Sequence, residues 1–289
     1  MSTPAKDLLP ILAPNPSALT GPGTTTYLIG TRHVAVIDPG PDDPAHIEAV
    51  ARAGGDRIGH ILVTHAHRDH SGGAARLSRL TGAPVLAFGD ALAGRSAVMT
   101  RLSRDGRAAM GGGEGLDHAF APDRLLRDGD RIETPDWSLE ALHMPGHAAG
   151  HLCFRWDDTI FCGDLVMGWS STLISPPDGD LGDYMRSLDR LAGLAPARLL
   201  PTHGAAIDDP LPHMAMLARH RRMRTAQILT ALRGQPDSAP SLARRIYDVP
   251  PTLLPAAARN VLAHLIALWQ IGAVDFTGEL SLDTIFSPG

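Results

Sequence analysis

The 289-residue sequence predicts an α/β fold with mixed sheets, followed by a small C-terminal helical module. Three observations predict it. β-rich runs alternate with helical spacings as far as about Gly204. Several of those runs follow one another closely enough to pair as hairpins, so the sheets are mixed rather than purely parallel. Beyond Pro210 the pattern turns helical and the charge changes sign: residues 210–289 hold eight arginines against five acidic residues, while the whole chain carries −5. The expected division is an α/β domain over residues 1–209 and a linking helix with a small domain over 210–289.

The elements follow in order. After a proline-rich lead, Thr24–Gly30 (TTTYLIG) and Val34–Asp38 (VAVID) read as a hairpin, ended by Pro39, Gly40 and Pro41. Asp43–Ala53 has helical spacing, with Asp43 as cap and Pro44 in the first turn. His60–Thr64 (HILVT) is a short buried strand, Ser71–Leu80 a helix and Pro84–Ala87 a strand. Asp90–Leu125 shows no clean period and contains a Gly111–Gly115 cluster; a loop or broken helix of this length reads as a mobile insertion or a lid. Strands are expected at Ser138–His143, His151–Trp156, Thr159–Cys162 and Arg198–Leu200, with a helix over Tyr184–Leu194. A helix over Leu211–Leu232 and a linker over Gln235–Ser241 lead to helices Ser241–Tyr247 and Pro255–Trp269 and a β-like end. Leu262, Leu265, Ile266 and Trp269 share one stripe of the last helix, the signature of a core face.

Composition excludes several function classes. An apolar content of 44% and a charged content of 20% are those of a globular protein. The negative charge argues against indiscriminate nucleic-acid binding by the whole chain. Two cysteines, Cys153 and Cys162, suggest no disulfide framework. The proline-broken N-terminus lacks the pattern of a secretory signal, and no stretch reads as apolar enough to span a bilayer. A cytoplasmic protein that does not engage membranes is expected.

The chemistry concentrates in His65-Ala66-His67-Arg68-Asp69-His70, at the end of a buried strand. Imidazole and carboxylate are suitable zinc ligands. Four such groups in six residues cannot all reach one tetrahedral ion, but they fit when divided between two. His147 (after Met144-Pro145-Gly146), Asp164 (after Cys162-Gly163) and His203 (after Pro201-Thr202) likewise stand where strands give out. His151, four residues after His147, is a candidate to hydrogen-bond an intermediate or a ligand, with an ordinary strand histidine as the alternative. Asp38 reads as structural or supporting near the site, and Cys162 as a small buried strand residue.

HAHRDH, PGH, GD and PTHG in that order resemble the metallo-β-lactamase superfamily from about Thr24 to Gly204. The resemblance implies a four-layer αββα sandwich with the site at one edge between the sheets. It implies that His65, His67 and His147 hold one metal, that Asp69, His70 and His203 hold another, and that Asp164 bridges them. Two Zn²⁺ per chain are expected, although such ligands also suit iron or manganese. The implied activity is hydrolysis by a hydroxide held between the metals, with Asp69 orienting it. The zinc β-lactamases themselves differ at the position of Asp164 and are exported, which argues against a dedicated antibiotic-degrading role.

The C-terminal run LARRIYDV…LLPAAARNVLAHLIALWQIGAVDF resembles the winged-helix tail of the beta-lactamase-like protein 2 group, as does GWSSTLISPPDGDLGDYMRSL after Asp164. That group includes single-strand-specific endoribonucleases. Three functions therefore stand open. The first is a phosphodiesterase acting on single-stranded RNA, aided by Arg219, Arg221, Arg222 and Arg224 and by stacking on Trp156, Trp169 or Tyr184. The second is a hydrolase of small acyl substrates such as thioesters or lactones, with weak β-lactam activity included. The third is a non-catalytic metal or nucleic-acid binder. The tail also reads as a cover for the site or for a dimer surface, and a homodimer is the commonest assembly.

Overall fold

The computed structural model describes residues 8–104 and 115–289. Six strands form a first sheet in chain order: β1 (Leu8–Leu12), β2 (Thr25–Ile29), β3 (Val34–Ile37), β4 (Ile58–Leu62), β5 (Val85–Ala87) and β6 (Arg124–Leu125). Five form a second: β7 (Arg131–Glu133), β8 (Ser138–His143), β9 (Leu152–Trp156), β10 (Thr159–Gly163) and β11 (Arg198–Pro201), ordered β11-β10-β9-β8-β7. The helices are α1 (Pro44–Gly54), α2 (Arg68–Ser71), α3 (Ala74–Thr81), α4 (Ala97–Arg104), α5 (Leu181–Gly193), α6 (Pro210–Gly234), α7 (Ala239–Ile246) and α8 (Leu254–Gln270). Three short strands, β12 (Asp237–Ser238), β13 (Val274–Phe276) and β14 (Ile285–Pro288), make a third sheet in the order β12-β14-β13.

The layers follow from residues that are apolar on both faces of a strand. In β3, Ala35 and Ile37 face the second sheet, while Val34 and Val36 meet Ile47 and Val50 of α1 and Leu77 of α3. In β10, Phe161 points between the sheets, while Ile160 and Cys162 pack on Tyr184 and Leu188 of α5 and Met214 of α6. Strands buried on both sides read as continuous apolar runs. The outcome is the expected αββα sandwich. The β3–β4 and β10–β11 pairs are parallel. β8 runs antiparallel to β9, and β9 antiparallel to β10. The C-terminal ends of β3, β4, β8, β10 and β11 therefore gather at one edge.

Three local readings need correction. The single helix expected over Ser71–Leu80 is two, α2 and α3, broken at Gly72-Gly73. A Cβ on Gly72 would stand 2.5 Å from the Arg68 carbonyl oxygen, and one on Gly73 would stand 2.2 Å from Ile47. The break also lets Gly73 N–H bond the Gly40 carbonyl at 2.9 Å. The supposed linker holds β12, because Asp237 and Ser238 pair with Phe286 and Ile285. In the Asp90–Leu125 segment, read as a loop or broken helix, α4 sets Met99 and Leu102 into the C-terminal core. Residues 105–114, with most of the glycine cluster, lie outside the described residues. Finally, Pro251–Gln270, with a mean hydropathy of 1.2, is long and apolar enough to cross a membrane by length and composition, which the sequence reading denied to every segment. Its apolar stripe is occupied otherwise: Leu262, Leu265 and Ile266 are buried against Leu242, Val274 and Phe286.

The inter-sheet core sets the stability. Phe154→Ala, at a side chain with no exposed surface, is expected to cost about 3–5 kcal/mol in denaturant unfolding. Ile285→Ala, at a residue 56% exposed, should stay within about 0.5 kcal/mol of wild type.

Candidate metal centre

Seven side chains from the strand ends converge: His65, His67, Asp69, His70, His147, Asp164 and His203, all buried. They form three groups with donor atoms within 4.8 Å of one another: His65/His67/His147, Asp69/His70/His203, and His65/His70/Asp164. In the first, His65 Nε2 and His147 Nε2 lie 2.9 and 3.0 Å from His67 Nδ1. In the second, Asp69 Oδ2 is 3.2 Å from His203 Nε2 and 3.5 Å from His70 Nε2. Asp164 stands between them. Its Oδ2 is 3.5 Å from His70 Nε2 and 3.6 Å from His147 Nε2, and its Oδ1 is 3.5 Å from His203 Nε2.

Hydrogen bonds at the far ring nitrogens fix which atoms face inward. His147 Nδ1 donates to the Leu173 carbonyl at 2.8 Å, and His203 Nδ1 to the Gly23 carbonyl at 3.1 Å. His70 Nδ1 donates to Asp38 Oδ2 at 2.9 Å. Thr64 Oγ1 gives its own proton to Asp38 Oδ2, so it accepts from His65 Nδ1 at 3.0 Å. Four imidazoles therefore direct Nε2 inward, the atom a metal would take once it is unprotonated. Asp38 receives two further bonds, from Thr64 N–H at 2.7 Å and Thr202 Oγ1 at 3.0 Å.

This donor set fits a metal. Asp69 Oδ1, His70 Nε2 and Asp164 Oδ1 are buried without a hydrogen-bond partner. Such atoms are costly unless something compensates them. Nitrogens about 2.0 Å from a tetrahedral zinc stand about 3.3 Å apart, and the first histidine group, at 2.9 and 3.0 Å, is near that spacing. Charge separates the two halves. Burial, reinforced by neighbouring imidazoles, lowers His65 well below the usual histidine range and lowers His67 to about 3. Burial would also lower His70 and His203, but carboxylates override it: Asp69, Asp164 and Asp38 at His70, Asp164 and Asp69 at His203, so both are raised. Burial alone would raise Asp69 and Asp164, and the facing imidazoles hold both low.

His151 lies beside the donor set. It has no exposed surface, and its Nε2 accepts the Asp164 main-chain N–H at 3.2 Å while its ring stacks on His65. It sits behind the ligand layer, against Asp164 and His65. Gly163 (φ 49°) permits this, since a Cβ there would lie 2.6 Å from His151 Nε2. Cys162 is buried, as expected. Sequence reasoning missed Thr64 and Thr202. The visible signal was that each immediately precedes a candidate histidine ligand, in Thr64-His65 and Thr202-His203.

Asp38→Ala would leave buried donors on Thr64, His70 and Thr202 unpaired, at about 1–3 kcal/mol each. Urea unfolding of chelator-treated protein should show a loss of at least about 3 kcal/mol. A loss below about 1 kcal/mol would contradict the role assigned to this carboxylate.

A profile described as metallo-beta-lactamase superfamily matches residues 19–203, and one described as beta-lactamase associated winged helix domain matches 238–281. The beta-lactamase-like protein 2 homolog of Drosophila melanogaster is 30% identical over 272 residues, covering 91% of this chain and 87% of that protein. The lactamase-like protein adaB of Aspergillus niger is 30% identical, with 96% and 85% covered. A metallo-β-lactamase family protein from Thermus thermophilus superposes with a TM-score of 0.78 at 25% identity, over 98% of this chain and 99% of that one. A structure titled as the di-iron-bound form of TTHA1623 gives 0.53 at 29% identity, over 70% and 96%. With the fold, the donor set and the C-terminal module in agreement, the chain belongs to the metallo-β-lactamase superfamily of metal-dependent hydrolases and carries the winged helix domain associated with it.

Proposed function

We propose that this hydrolase works with two metal ions and cleaves phosphodiester bonds in single-stranded RNA. The observation that carries the two-metal reading is the division of seven buried donors into two groups with Asp164 between them. His65, His67 and His147 would hold one ion, and Asp69, His70 and His203 the other. Zinc is the first choice of metal, with iron supported by the similarity to a di-iron protein. Zinc bound there supplies hydroxide at neutral pH by lowering the pKa of water to about 7. Asp69 Oδ2 faces the histidines while Oδ1 has no partner, which leaves Oδ1 to orient the attacking water.

Two features support an anionic polymer. Neutral imidazoles and two carboxylates around two divalent ions leave a net charge of about +2, which draws phosphate. Trp169, 49% exposed, lies across Gly204 beside His203 at the mouth of the site and offers a stacking face. The arginines support it less than the sequence suggested. Arg221 is buried and Arg224 stacks on Tyr247, while Arg219 and Arg222 remain exposed.

One observation favours a second reading, hydrolysis of a small acyl substrate. Beside Thr20, Ser170 and Ser171, the mouth is lined by Ala18, Leu19, Met167 and Leu173. A cavity of about 530 Å³ beside Asp69 has walls that include Val85, Phe120 and Ala75 with Arg68. Such a lining suits an apolar acyl group.

A turnover screen separates the readings. Metal-loaded protein is offered labelled single-stranded RNA, bis-p-nitrophenyl phosphate, a lactone, a thioester and a β-lactam, each at two salt concentrations. RNA cleavage that weakens with salt, and whose KM rises with Trp169→Ala, is the expected result. Turnover of acyl substrates alone would replace it with the second reading. His67→Ala should lose more than about 100-fold, beyond the range typical of groups that only support a ligand.

The pKa directions add a pH prediction. A proton must leave His70 and His203 before they can bind metal, and their raised pKa values mean that they regain it first as pH falls. His65, His67 and His147 stay neutral further into acid. Acidification should therefore release the Asp69/His70/His203 ion before the other, in two steps of a metal-release titration. A single step releasing both ions together would count against it.

A further inference from the structure

The segment 172–174 touches one half of the metal centre, at His147, and the Asp164 that stands between the halves, without contributing a ligand. The Leu173 carbonyl accepts from His147 Nδ1 at 2.8 Å and so fixes that ring. Thr172 Oγ1 donates to the Asp164 carbonyl at 2.8 Å. No strand or helix holds this segment. Its position comes from the C-terminal helices. Asn260 Oδ1, on α8, accepts from Ile174 N–H at 3.0 Å. Arg221, on α6, donates to the Thr172 carbonyl through Nη2 and to the same Asn260 Oδ1 at 3.2 Å through Nη1.

Arg221 is an unusual residue to find in a packed interface. It is 2% exposed, and a buried guanidinium is costly unless its hydrogen bonds are well met. Its Cζ lies 5.2 Å from the centre of the Tyr184 ring, and Tyr184 in turn seats Gly146, the residue before His147. A Cβ on Gly146 would fall 2.4 Å from the Tyr184 Cα. Two routes thus run from Arg221 to His147, one through Thr172 and Leu173 and one through Tyr184.

We propose that Arg221 and Asn260 are positioning residues for the metal centre: by clamping segment 172–174 they aim His147 and Asp164, so the C-terminal module is part of the metal site rather than a detachable substrate-binding arm. The proposal rests on the reading that His147 and Asp164 hold metal. It assigns the module a role that needs no nucleic-acid contact.

The experiment uses the full chain with Co²⁺ as the probe, reading affinity by equilibrium dialysis, the visible absorption bands of the bound ion, and Tm. Asn260→Leu removes the acceptor at similar volume. It should weaken uptake of the ion held by His147 about tenfold or more, as loss of a ligand's supporting contact does, and should alter its absorption bands. Asn260→Asp keeps an oxygen in place and should retain wild-type affinity and bands. Ile228→Ala trims the C-terminal core away from the clamp. It should lower Tm but leave Co²⁺ affinity unchanged. Wild-type affinity and bands in Asn260→Leu would overturn the proposal. So would equal loss in Ile228→Ala, which would make the effect one of general stability, or equal loss in Asn260→Asp. Wild-type protein that takes up no Co²⁺ would overturn the donor-set reading itself, and the proposal with it.

Discussion

One carboxylate ties the site together. Asp38, at the end of β3 and with no exposed surface, accepts from the Thr64 amide and hydroxyl, from His70 Nδ1 and from the Thr202 hydroxyl. These partners come from the end of β4, from α2 and from the end of β11. The two sheets are thereby pinned at the edge where they would otherwise splay. The same bonds set proton positions, because a carboxylate can only accept. His70 must keep its proton on Nδ1, and Thr64, having given up its own, can only accept from His65. A buried anion is tolerable when its hydrogen bonds are met in this way, and Asp38 reaches the ligand layer from behind without belonging to it.

The sandwich was legible because its strands are apolar on both faces. VAVI and TIFCG read as interior strands between turn residues, and LCFRW joins them as far as Phe154, before the exposed Arg155. The site was legible for a related reason. Polar, chemistry-bearing residues placed immediately after such runs have only the sheet edge to occupy. What could not be read depends on partners distant in sequence. β1 (LLPIL) carries a proline, which suits an edge strand and reads as a lead when no partner is known. β12 exists only because Ile285 and Phe286 arrive to pair with it. His151 is ambiguous in sequence, since nothing local shows that the Asp164 amide will lie against its ring. Arg221 sits in a run of arginines that reads as an aid to RNA binding, yet it is the one buried there.

The two halves of the donor set differ electrostatically, and the placement of the carboxylates explains why. His65, His67 and His147 cluster with one another, so burial dominates and each is lowered. His70 and His203 face Asp69 and Asp164, so the carboxylates dominate and both are raised. Without metal, one half resembles an uncharged pocket and the other a set of ion pairs. A cation entering the first half displaces little charge. A cation entering the second must compete with protons already held there.

The supporting contacts follow the same division. The second half is braced from within the sandwich: His70 by Asp38, and His203 by the Gly23 carbonyl. In the first half, a bond from within the sandwich reaches His65, through Thr64. His147 leans on Leu173, which belongs to a segment without regular structure, and that segment leans on α6 and α8. A loop cannot hold an imidazole more firmly than it is itself held. The helices beyond residue 210 supply what the sheets do not at that corner. Apolar packing alone would leave the loop free to slide there, because hydrophobic contact has no preferred direction. The hydrogen bonds that Arg221 and Asn260 make to main-chain groups do have one, and they fix the loop in a single register against the helices.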